Sequence, residues 1–191
     1  MKGDDYPKIA FETPNDFEEF LEKEHKLTPG VWIKVPKKGS GMKAIGCNEL
    51  LEVALCYGWI DGQAGSFDEK CYLVKFTPRG PRSIWSKRNV DIVAKLIKEG
   101  RMRASGLEKI EEAIKDGRWE AAYAGLKDAV IPEDFLNELK KDEMAYEFYQ
   151  TLNKSNLYAI YFRLVTAKKP ETREKRMKVI LEMMQKGEKL H

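Results

Sequence analysis

Residues 54–62 read ALCYGWIDG, and residues 76–89 read FTPRGPRSIWSKRN. Gly58 stops a helix that Asn48 can cap, in which Leu51, Ala54 and Leu55 line one side. WIDGQ then alternates as a strand, AGSFDEK is rich in turn residues, and CYLVKFTP reads as a second strand. The pair predicts a hairpin entered from a helix, and Pro78 and Pro81 close it before Ser86 starts the next helix. That succession of helix, strand, turn and strand makes the first half α+β.

Working outward, TPNDFEEFLEKEHKL predicts a short amphipathic helix with Thr13 as cap, Pro14 in first position, and Phe17, Phe20 and Leu21 on one stripe. GVWIKVP, residues 30–36, predicts a strand. Beyond residue 103 the chain reads as helix after helix. Ser105 and Glu108 form a capping-box pattern, Pro132 and Asp142 open two helices, Ser155 caps NLYAIYFRLVTAKK, and Pro170 begins a last helix carrying Met177, Ile180, Leu181 and Met184 on one stripe. The expectation is an α+β half over residues 1–103, with a small antiparallel or mixed sheet, and a helical half over residues 104–191, packed together as one compact unit.

Of the 191 residues, 42% are hydrophobic and 34% charged, a globular composition. No run of apolar residues is long enough to span a membrane, and the polar start MKGDDYPKIAF does not resemble a secretion signal, so membrane insertion is not expected and a cytoplasmic location is. Cys47, Cys56 and Cys71 lack the spacing of zinc or redox sites and read as buried, inert thiols. His25 and His191 are the two histidines, too few to suggest a metal site or a Ser-His-Asp triad. No metal or cofactor is implied.

The net charge of +3 conceals an asymmetry. Residues 75–103 carry nine Lys or Arg against Asp91 and Glu99, and residues 163–178 carry seven against Glu171 and Glu174. Residues 1–24 and 108–147 are acidic. Two basic blocks can meet a polyanion, or can solvate themselves.

Five separated stretches carry a family resemblance: ALCYGWIDG, FTPRGPRSIWSKRN, GRM at 100–102, GRWEAAY at 117–123 and AKKPETREKR at 167–176. Together they resemble the YdeI/OmpD-associated family of bacterial and archaeal proteins, from VWIKVPKK through the last helix. The resemblance implies a link to bacteriocin or antimicrobial-peptide tolerance and to envelope stress. It implies no established reaction and no known cofactor.

The residues themselves mark one candidate site. Alternation puts Trp59 and Asp61 on one strand face, and Asp61 either turns the chain locally or orients an arginine or ligand. Arg79, Arg82, Ser83, Trp85, Ser86 and Asn89 combine guanidinium forks, hydroxyl and amide donors, a flat indole and a helix start, a set that suits an anion. The expected pocket has Trp59 and Trp85 as walls. The same segment reads equally as a structural junction, with Trp85 plugging the core and the arginines bridging Asp61 and Glu52. Arg101, Arg118, Arg173 and Arg176, near helix ends, form a possible secondary basic site or interhelical staples.

The leading expectation is a non-enzymatic binding protein taking an anionic small molecule or an acidic protein partner. A nucleic-acid binder using both basic blocks, with Trp59, Trp85 and Tyr72 for stacking, is the second reading. An enzyme clamping an anionic substrate with Arg79 and Arg82, and Asp61 as base, is the third.

Overall fold

The computed structural model describes residues 6–190 and is α+β, with helices in both halves of the chain. It divides into two compact units, one formed by the chain up to Trp85 together with Asn89–Ala121, the other by Ser86–Arg88 together with the chain from Ala122 onward.

In the first unit, β1 (Lys8–Ile9), β2 (Val31–Pro36), β3 (Trp59–Ser66) and β4 (Cys71–Pro78) form a mixed sheet in the order β1-β2-β4-β3. β1 runs parallel to β2, and the other pairings are antiparallel. The hairpin β3–β4 is the one expected from WIDGQ and CYLVKFTP, with a bulge between Asp61 and Ala64. Alternation in β2 sends Val31, Ile33 and Val35 to the side of their partners Phe76, Val74 and Tyr72. Phe17 and Leu21 of α1 (Pro14–Glu24) are fully buried, and the Phe17 ring meets the edge of Phe76 at 5.8 Å. α1 is capped as its sequence predicts: Thr13 accepts from the Asp16 N–H, and the Asp16 carboxylate accepts from the Thr13 N–H at 2.9 Å.

α2 (Cys47–Cys56) buries Leu50, Leu51, Val53, Ala54, Leu55 and Cys56. Its cap is Gly46 rather than Asn48, because the Glu49 side chain reaches back to accept from the Gly46 N–H at 3.1 Å. Gly58, at φ +74°, ends the turn and feeds β3. α3 (Lys87–Lys98) and α4 (Ala104–Lys115) follow. Arg103, not Ser105, caps α4: its N–H donates to the Cys56 carbonyl at 3.1 Å, which fixes the helix start against the end of α2. The Ser105 hydroxyl is then buried with no hydrogen-bond partner among the described residues.

The second unit holds α5 (Glu133–Leu139), α6 (Glu143–Gln150), α7 (Lys154–Val165) and α8 (Pro170–Gln185). Its core joins Phe135 and Leu139, Ala145, Ile160 and Leu164, and Ile180 and Met184, one set from each helix. Met177 and Leu181 pack against that core as the α8 stripe predicts. Asp142 caps α6 by accepting from the Ala145 N–H, as expected, whereas α7 is capped by Asn153, two residues before the expected Ser155.

Gly106 of α4 lies where a Cβ would overlap the Cys56 carbonyl and press on Met102. A glycine-to-alanine change inside a helix ordinarily gains about 1 kcal/mol. Here the overlap with fixed backbone reverses the sign, and Gly106→Ala should destabilise by about 1–3 kcal/mol in urea unfolding. A stabilised variant would show that the α2–α4 contact is loose.

Candidate functional site

The turn between β4 and α3 treats its two arginines oppositely. Arg79 is buried, 3% exposed, while Arg82 is exposed. The Arg79 guanidinium carbon lies 3.5 Å from the centroid of the Trp85 ring, and its Nη1 donates to the Ile84 carbonyl at 3.2 Å. Its backbone N–H donates to the Gly58 carbonyl at 2.9 Å, which ties the turn to the point where α2 gives way to β3. Trp85 in turn meets Trp119 edge-on at 4.8 Å. A desolvated stack of this kind contributes about 2 kcal/mol. The Trp85 indole N–H has no hydrogen-bond partner among the described residues, a cost of about 1–3 kcal/mol that the stack must offset.

Three further bonds close the turn on itself. Ser83 donates its N–H to the Gly80 carbonyl at 3.0 Å, Gly80 donates its N–H to the Ser83 hydroxyl at 3.1 Å, and Arg118 Nη1 donates to the Ser83 carbonyl at 2.8 Å. Arg118 is itself held by Asp116, whose carboxylate oxygens both lie 2.7 Å from its Nε. The Arg118–Trp119 pair thus staples the turn from one helix end, the structural reading of GRWEAAY.

The other predicted site residues have separate surroundings. Trp59 is buried, and its Nε1 donates to the His25 carbonyl at 3.2 Å, so each of the two indoles is engaged by its own partners. Asp61 is half-buried at the bulge and makes no side-chain hydrogen bond or ion pair among the described residues; the local turn bond expected of it does not form. Ser86 forms an isolated parallel bridge with Tyr123 in the second unit, and Asn89 is buried in α3.

The expected arginine bridge to Glu52 is corrected in its donor: Arg101, at 2.8 Å, and Lys95, at 3.4 Å, hold that carboxylate. Arg101 also meets Glu99 at 3.2 Å, and Arg103 meets Glu18 at 2.6 Å. These two arginines border a pocket of about 260 Å³ beside Cys56. In the second unit Arg173 makes a two-pronged bond to Asp134, at 2.6 and 2.8 Å, and Arg176 donates to the Arg163 carbonyl at 2.8 Å. Each arginine of the secondary set therefore has a protein acceptor.

Cys56 and Cys71 are buried and Cys47 is half-buried. Burial pushes the Cys56 thiol up to about 11, which keeps it protonated and unreactive at neutral pH. No group of three or more His, Cys, Asp or Glu among the described residues could hold a metal ion, and no described helix is long and apolar enough to cross a membrane.

Comparison with known families gives two matches. The chain belongs to the family described as Domain of unknown function (DUF8412), whose model matches residues 9–109, just over half of its length. The family described as Bacteriocin-protection, YdeI or OmpD-Associated matches residues 128–187, which bears out the resemblance read from the motifs. No curated protein and no solved structure matches significantly.

The Arg101 hydrogen bond, reinforced by Lys95, holds the Glu52 carboxyl below its ordinary range despite partial burial. A carboxyl depressed by folding adds stability that is fully present above its unfolded pKa, about 4.3, and is lost as pH falls through the folded value. Glu52→Gln should therefore be less stable than wild type at neutral pH, by at most about 1 kcal/mol for a partly exposed pair. The gap should close below about pH 4. A gap independent of pH would assign Glu52 to packing alone.

Proposed function

We propose that the protein is a non-enzymatic binding protein of the cytoplasm that contributes to bacteriocin or antimicrobial-peptide tolerance, as part of an envelope-stress response. The match of residues 128–187 to a family described by bacteriocin protection supports the biological setting. Its ligand is an anionic small molecule or an acidic segment of a partner protein, met at the turn Gly80–Ser83.

One observation carries the anion reading: a turn closed by its own hydrogen bonds and stapled by Arg118 holds Arg82 exposed in a fixed place. A guanidinium on a rigid backbone loses less freedom on binding than one on a mobile loop, and its fork suits carboxylate or phosphate. Arg79 supports the turn from below through its stack on Trp85, and is a positioning residue. The nucleic-acid reading gains less support, because Lys95, Arg101, Arg103 and Arg173 of the two basic blocks are engaged with carboxylates.

The two arginines should separate in calorimetry. Arg82→Ala should leave the melting temperature unchanged while weakening binding of phosphate, sulfate or a short polyglutamate peptide by about three- to fivefold, the effect of an exposed charge. Arg79→Ala should lower the melting temperature. Wild type that binds none of these probes, or binding indifferent to Arg82, would leave the turn a structural junction.

A further inference from the structure

The second unit contains a cleft that neither the motifs nor the anion reading uses. It has a volume of about 490 Å³ and lies between the segment around Leu126–Ile131 and the first turns of α7. Small-molecule sites typically enclose about 300–1,000 Å³, with apolar walls and a few placed polar groups. Leu126, Ala129, Ile131 and Leu157 supply apolar walls, with the Tyr158 ring beside them.

Its charges all have one sign. Lys127 and Lys154 are the charged residues lining the cleft. Both are exposed, and neither forms an ion pair among the described residues. Asp128 follows Lys127 in sequence but does not line the cleft, and Asp134 is bonded to Arg173. Lys154 is also the first residue of α7, where the helix end adds positive potential.

The wall is fixed in place. Tyr161 accepts from the Ala124 N–H at 2.8 Å, and Tyr158 donates to the Ala124 carbonyl at 3.4 Å, so both polar groups of one peptide residue are anchored to α7. The segment that follows nevertheless leaves Leu126 53% and Val130 77% exposed. Exposed aliphatic side chains at the rim of an apolar cleft extend the surface available to a hydrocarbon.

We propose that this cleft binds a small amphiphile with one carboxylate head and a medium-length hydrocarbon tail. The tail lies against Leu126, Ile131 and Leu157, and the head sits between Lys127 and Lys154. This site is independent of the Gly80–Ser83 turn, and the two readings stand or fall separately.

The probes are octanoate, octanol and octylamine, which share a tail and differ in head charge, titrated into the full chain by calorimetry. Octanoate should bind at one saturable site, about tenfold more tightly than octylamine, as a cleft lined by two lysines and no carboxylate would require. Lys127→Glu combined with Lys154→Glu should reverse that order, and Ala129→Trp, which fills the cleft, should abolish binding of all three while the thermal midpoint stays near wild type. Absence of saturable octanoate binding overturns the proposal, as does equal affinity of wild type for octanoate and octylamine, a comparison that needs no variant. Octanoate binding that survives Ala129→Trp in a folded protein overturns it as well.

Discussion

A guanidinium laid against an indole, both almost out of water, holds the first unit's turn together. Arg79 is 3% exposed and Trp85 2% exposed, with 3.5 Å between guanidinium and ring centroid. An arginine cannot shed its proton to escape burial, so the cost of desolvating it must be met by contacts. The face of Trp85 and the Ile84 carbonyl provide two of them. From this stack the Arg79 backbone reaches Gly58, and Trp85 reaches Trp119, so the ends of α2, β4 and α4 converge on one pair of side chains.

That arrangement divides labour within a short sequence. Residues 78–83 read PRGPRS, and the two arginines have near-identical neighbours. One is sealed beneath the turn, where it can act only through the backbone it supports. The other is left in solvent on a frame closed by Ser83 and stapled by Arg118. Among the other cations of the basic blocks, Lys95, Arg101, Arg103 and Arg173 each lie against a carboxylate. In the second unit Lys127 and Lys154 form no ion pair among the described residues, and they border an apolar cleft.

The elements with strong local signals were legible from sequence. Thr13 with Asp16, Asp142, Pro170 and the hairpin of WIDGQ and CYLVKFTP all act as their residue types imply. The errors fall where two candidates compete within two residues. Gly46 displaces Asn48 because Glu49 reaches back to it, Asn153 displaces Ser155 because its side-chain Oδ1 accepts from the Asn156 N–H, and Arg103 displaces Ser105 because the Cys56 carbonyl fixes the helix start. Of the candidate site, the sequence marks the turn as unusual but does not tell Arg79 from Arg82, since only the tertiary position of Trp85 and Trp119 separates them. The partner of Glu52 was missed for the same reason, Arg101 being forty-nine residues away. The cleft gave no signal, because residues 121–131 have neither helical nor strand periodicity.

The turn rests on the coupling of Arg79 to Trp85, and a double-mutant cycle measures it directly. Urea unfolding of wild type, Arg79→Met, Trp85→Leu and the double variant isolates the pairwise energy from the separate effects of burial. A coupling of about 2 kcal/mol is the expected result for a desolvated cation–π stack. A coupling indistinguishable from zero would mean that the two side chains are neighbours without consequence, and that something other than this contact holds the turn.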